Sequence, residues 1–222
     1  MSNTDSFLEE VSEEVRRDRM IQFLTKNALW IGLGVCVIIA GAVYFEWRSS
    51  SAQAAAEARG DALWQALETD DPAARLEALT AIEMPGDDGL AFLNMQRAAA
   101  LLAADDREGA SAILQQIASG GQGSATLRDI ARLKLVSISA DILPVQERLD
   151  ILNALMVDGH ALRGAALEQR ALIRLAEGNM AGAAEDLRAL LIDIRTSDVA
   201  KQRASQLLSV LGFEPDPAAQ DG

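Results

Sequence analysis

Three patterns of apolar and polar positions divide the chain. From Ala28 to Phe45 the run ALWIGLGVCVIIAGAVYF holds eighteen residues without a charged side chain, bounded by Lys26 and Glu46. At about 1.5 Å of rise per residue this covers about 27 Å. Including Trp47 brings it near the roughly 30 Å hydrocarbon thickness of a bilayer, so the run predicts a single membrane-spanning helix over residues 28–47. Before it, Phe7, Val11 and Val15 recur every four residues, and Ser6 with Glu9 makes a capping-box pattern. This predicts an amphipathic helical head over residues 1–27.

After the apolar run, alanine and leucine dominate, and no β-branched stretch alternates with period two, so an all-α domain is expected over residues 48–212. Its pattern predicts nine helices. The first, Ser51 to Thr69, carries Leu63, Trp64 and Leu67 on one face; Asp71 followed by Pro72 caps and opens a second that reaches Ile82. The turn Pro85 to Gly89 ends that pair, and helices follow from Leu90 to Ala104 and from Arg107 to Ala118. The segment Ser119 to Ser124 is a flexible connection. Ser124 is placed to cap a fifth helix that runs to Ala140, and Pro144 opens a sixth to Met156. Helices seven and eight, His160 to Glu177 and Met180 to Ile194, turn at Gly178-Asn179. A ninth begins at Ser197 and stops before Gly212, leaving residues 213–222 as a disordered tail.

Helix pairs of this length invite a search for repeats. The stretch Ala171 to Leu191, ALIRLAEGNMAGAAEDLRALL, resembles a tetratricopeptide repeat. Ala171 and Ala183 fall at the small positions of its two helices and Leu187 at the large apolar position of the second; Ala98, Ala110 and Leu114 occupy the same register earlier. Ala110 and Ala183 lie 73 positions apart, close to two repeats of about 34 residues. Two helices that cross closely need small residues at the crossing and large apolar ones beside it. The fifth and sixth helices lack the turn glycine, and the alternative architecture is a generic antiparallel bundle. The expected fold is therefore all-α, a single N-terminal transmembrane helix followed by a TPR-like solenoid of about four helix pairs and a C-terminal capping helix.

Charge fixes orientation and narrows partners. The formal net charge is −13, and from Ser49 onward 26 acidic residues face 15 basic ones, which argues against nucleic acid. Arg16, Arg17, Arg19 and Lys26 precede the apolar run closely, whereas only Arg48 and Arg59 follow it closely. The amino terminus is thus expected in the cytoplasm and the large domain on the far side. The head either docks on anionic lipid or a cytoplasmic partner, or only sets topology. A cleaved signal peptide, suggested by Ser50 and Ala52, fits worse because the run is too long and Glu46 and Arg48 intervene. Within the run, Ala28, Gly32, Cys36 and Ala40 form a stripe of small residues spaced by four, a candidate surface for packing another membrane helix.

Candidate chemistry is sparse. Cys36 is the only cysteine and His160 the only histidine, so neither has a like partner for a metal site or a disulfide. The pairs Asp70-Asp71, Asp87-Asp88 and Asp105-Asp106 sit at expected helix boundaries, where capping accounts for them. Gly120-Gly121-Gln122-Gly123 lacks the lysine of a phosphate loop. No catalytic residue, cofactor, metal or small-molecule substrate is expected, and the chain reads as a non-enzyme.

The segment DSFLEEVSEEVRRDR at Asp5 to Arg19, the apolar run, the Ala-rich helix and the repeat at Ala171 together resemble the ancillary SecYEG translocon subunit family. That resemblance implies a bacterial inner-membrane protein with a cytoplasmic amino terminus and a periplasmic TPR-like domain. It also implies partners among the Sec translocon and periplasmic chaperones or exported clients, and it transfers no catalytic residue. The alternative function is a structural scaffold of an envelope or cell-division membrane complex.

Overall fold

A computed structural model describes residues 38–214 of the chain, which divide between Ala58 and Arg59 into two compact units. In the first unit the described residues, 38–58, are helical and exposed throughout. The helical segment α1 covers residues 38–68. Among the described residues no helix is long and apolar enough to cross a membrane, which corrects the transmembrane helix expected over 28–47. Of the expected run, the described part is Ile38 to Phe45, eight residues or about 12 Å, after which Glu46 and Arg48 enter and an alanine-rich charged sequence takes over. Residues 28–37, with Ala28, Gly32 and Cys36, lie outside the described residues, as do the head, 1–27, and residues 215–222 of the expected tail.

The second unit is all-helical. After the end of α1 come α2 (Pro72–Thr80), α3 (Gly86–Ala103), α4 (Arg107–Ser119), α5 (Ala125–Ile138), α6 (Val145–Leu155), α7 (Arg163–Ala176), α8 (Met180–Leu191) and α9 (Asp198–Val210). Short polar residues start most of them. Asp71 accepts a hydrogen bond from the Ala74 N–H, Asp106 from Gly109, Asn179 from Gly182 and Ser197 from Ala200, each satisfying an N–H that has no partner within its helix. Ser124 stands at the cap position of α5 but its hydroxyl makes no cap bond; its backbone N–H donates instead to Asp88 on α3.

Two helix starts depart from the pattern reading. α3 begins at Gly86, which takes a positive φ of 76°, rather than at Leu90; Asp87 and Asp88 fall in its first turn, where carboxylates favour the helix dipole. α7 begins at Arg163 rather than His160, since Leu162 donates its N–H to the His160 ring and holds that stretch as a turn.

Each helix packs on its neighbours in sequence, and α3 also touches α5, and α5 touches α7, across the intervening helix. That second set of contacts lines up α3, α5 and α7 in one row, with α4, α6 and α8 behind it. The core is divided accordingly into successive clusters. Ala66, Leu79, Ile82, Leu93 and Ala100 close the first pair against α3. Ala98, Ala110, Leu114 and Ala131 join α3, α4 and α5, and Val136, Leu152, Leu155, Ala166 and Ile173 join α5, α6 and α7. Ala171, Ala183, Leu187, Ala204 and Leu208 then join α7, α8 and α9. Of Leu63, Trp64 and Leu67, expected on one face of their helix, Trp64 and Leu67 are 65% and 37% exposed, while Leu63 and Ala66 pack inward. Phe213, expected in the tail, packs on the last cluster, and the Arg188 guanidinium lies 5.5 Å from its ring centre.

Candidate functional site

The residues that the repeat pattern singles out are brought to the helix crossings. Ala98, Ala110, Leu114, Ala171, Ala183 and Leu187 are all buried, none more than 1% exposed. They hold the helices together, and of the six only Leu187 also lines a surface hollow. Of the stripe expected in the apolar run, only Ala40 is described, and it is exposed.

One surface open to a partner is the row formed by α3, α5 and α7 and its continuation to α9. Phe92 on α3 and Leu172 on α7 are large apolar side chains left 41% and 47% exposed. Between α7 and α9 a groove runs over α8. Its apolar half, a hollow of about 330 Å³, is lined by Leu172, Leu187, Leu207 and Val210. Its polar half, about 290 Å³, is lined by Gly164, Thr196, Ser197 and Arg195. Glu168 and Arg203 line both halves. Arg203 donates from Nε and Nη2 to the two Glu168 carboxylate oxygens, each at 2.9 Å, a two-pronged pair that bridges α7 and α9 and raises the arginine pKa. Such a groove offers shape and charge for holding a chain; no paired nucleophile and base lies in it.

Around this surface the side chains are fixed by buried ion pairs that the sequence reading missed. Asp186 on α8 is 2% exposed and sits between Arg170 and Arg174, one helical turn apart on α7. Arg170 also donates to Asn153 on α6 at 3.0 Å, and Arg174 to the Gly182 carbonyl at 2.7 Å, so the network ties three helices. The i, i+4 spacing of the two arginines was the available signal; the apolar neighbours of Asp186 concealed its partner. Arg163 donates to Asp193 at 2.9 Å, and that hydrogen bond holds the Asp193 carboxyl below its ordinary pKa.

His160 is not a surface residue at a helix start. It is partly buried, its Nδ1 accepts the Leu162 N–H at 3.1 Å, and its Nε2 lies 3.1 Å from a carboxylate oxygen of Asp129 on α5. Asp129 is in turn bonded to Arg132. Among the acidic pairs, Asp71 and Asp106 are caps, Asp105 takes a left-handed φ of 63° in the α3–α4 turn, and Asp87 and Asp88 occupy the first turn of α3. Among the described residues no cluster of three or more His, Cys, Asp or Glu side chains is arranged to hold a metal ion. Comparison with protein-family models, with curated proteins and with solved structures finds no match.

Proposed function

We propose that the helical unit beginning at Arg59 is a protein-binding module, and that it serves protein export as an accessory to the Sec translocon. In this reading it meets chaperones or exported proteins on the periplasmic side of a bacterial inner membrane. The observation that carries the reading is the row of α3, α5 and α7, on which Phe92 and Leu172 stay exposed while the crossing residues are sealed. A row of helices stacked in this way presents an extended face suited to a peptide or helix of another protein. The translocon assignment draws its support from the sequence resemblance alone.

A pull-down with the full-length chain from detergent-solubilised membranes tests it. Translocon components, chaperones or exported proteins are expected with the wild type and are expected to be lost with Phe92→Glu combined with Leu172→Glu. Equal retention by both proteins, or retention of none of these classes, sinks the reading. Digestion of the domain by external protease in spheroplasts checks its side of the membrane; protection there contradicts the location.

A further inference from the structure

The groove between α7 and α9 is chemically divided, and the division specifies a ligand. Resting on the protein-binding reading above, we propose that it takes an extended peptide segment of a partner protein. The segment carries an aliphatic side chain with an acidic side chain about three residues away. The aliphatic group enters the hollow lined by Leu172, Leu187, Leu207 and Val210, and the carboxylate meets Arg195.

Charge is the first argument. The chain as a whole is strongly acidic, at −13, yet the polar half of the groove is lined by two arginines against the single carboxylate of Glu168. That carboxylate is already matched by Arg203, and Asp198 in the first turn of α9 is not among the lining residues. Arg195 uses its backbone N–H to bind Asp193, while its guanidinium makes no ion pair among the described residues. An exposed cation in the half that adjoins the apolar hollow selects a segment that offers both groups. Spacing is the second argument. Ala200 lines the polar half and Leu207 the apolar half, seven positions apart on α9. Seven positions are about 10 Å along a helix, and an extended chain covers that in about three residues.

Panning a random peptide library displayed on phage against the full-length chain tests this, with enriched peptides synthesised and their binding followed by fluorescence anisotropy. Val210 is 82% exposed and Arg195 is exposed, so Val210→Glu and Arg195→Glu change the groove without disturbing the core; Leu172→Glu is a third probe, and thermal melting checks all three. The expected result is a set of peptides that share an aliphatic and an acidic residue about three apart. Their dissociation constants should rise at least tenfold in each variant, and likewise when the peptide's acid is replaced by alanine. Enriched peptides that lack the acid, or that bind the variants as they bind the wild type, overturn the groove assignment and leave the protein-binding reading standing. Failure to enrich any peptide overturns both.

Discussion

At the fourth position of α8 stands Ala183, fully buried; at the fourth position of α6 stands Arg148, whose Nε is buried without a hydrogen-bond partner among the described residues. The α7/α8 pair therefore closes around two alanines, Ala171 and Ala183, and adds the Asp186 network across the crossing. α5 and α6 have no such closure and touch over a shorter stretch. α6 is held from both sides, since Leu152 and Leu155 pack with Val136 of α5 and with Ala166 and Ile173 of α7. The difference teaches how a stack of helix pairs tolerates an irregular member. In a quasi-one-dimensional fold each pair is stabilised partly by the interface with the next, so a strong pair supports a weak one.

Breaking the strong pair has the largest expected effect. Asp186→Ala leaves Arg170 and Arg174 without their shared carboxylate in a part-buried setting and should cost about 2–3 kcal/mol by urea denaturation. A loss under about 1 kcal/mol would show that the network is not what distinguishes α7/α8. Next comes Gly164→Ala on α7. A methyl group there would collide with the Thr196 hydroxyl, an overpacking cost of about 1–3 kcal/mol, recovered in the double variant with Thr196→Ala. Absence of recovery would trace the loss to some other cause.

Repairing the weak pair has a smaller and opposite effect. Arg148→Met removes the buried orphan Nε, keeps an apolar stem in place, and should raise stability by about 1–2 kcal/mol. Destabilisation instead would mean that the arginine head supports the pair. The smallest effect is on pH dependence. Because Arg163 lowers the Asp193 pKa, the pair adds stability above the ordinary carboxylate value of 3.8, and that stability is lost as pH falls through the lower folded value. Asp193→Asn should therefore cost less than about 1 kcal/mol at pH 7, with the gap to wild type closing as pH falls below about 4. A gap that stays constant with pH would contradict the assignment.

The helices of the second unit were legible because alanine and leucine periodicity is strong and short polar residues mark their starts, as at Asp71, Asp106 and Asn179. The small residues at the crossings were legible too, since large side chains do not fit where two helix axes approach closely. Boundaries moved where polar side chains cut across the apolar pattern: Asp87 and Asp88 start α3 ahead of its first apolar residue, and the His160 ring shortens α7 at its start. The membrane helix rested on a run of which residues 28–37 lie outside the described residues, and the described remainder turns polar at Glu46. The groove was not legible at all. Glu168 and Arg203 are 35 positions apart, and nothing local announces that α7 and α9 flank α8.

The claim that the open row of helices is where this protein meets other proteins is tested most directly by site-specific photo-crosslinking in living cells. A photoreactive amino acid at Leu172, or at Phe92, is predicted to form adducts with other proteins, whereas the same group at exposed Gln116 on α4 is predicted to form few. Adducts of equal yield from Gln116, or none from Leu172 and Phe92, would contradict it.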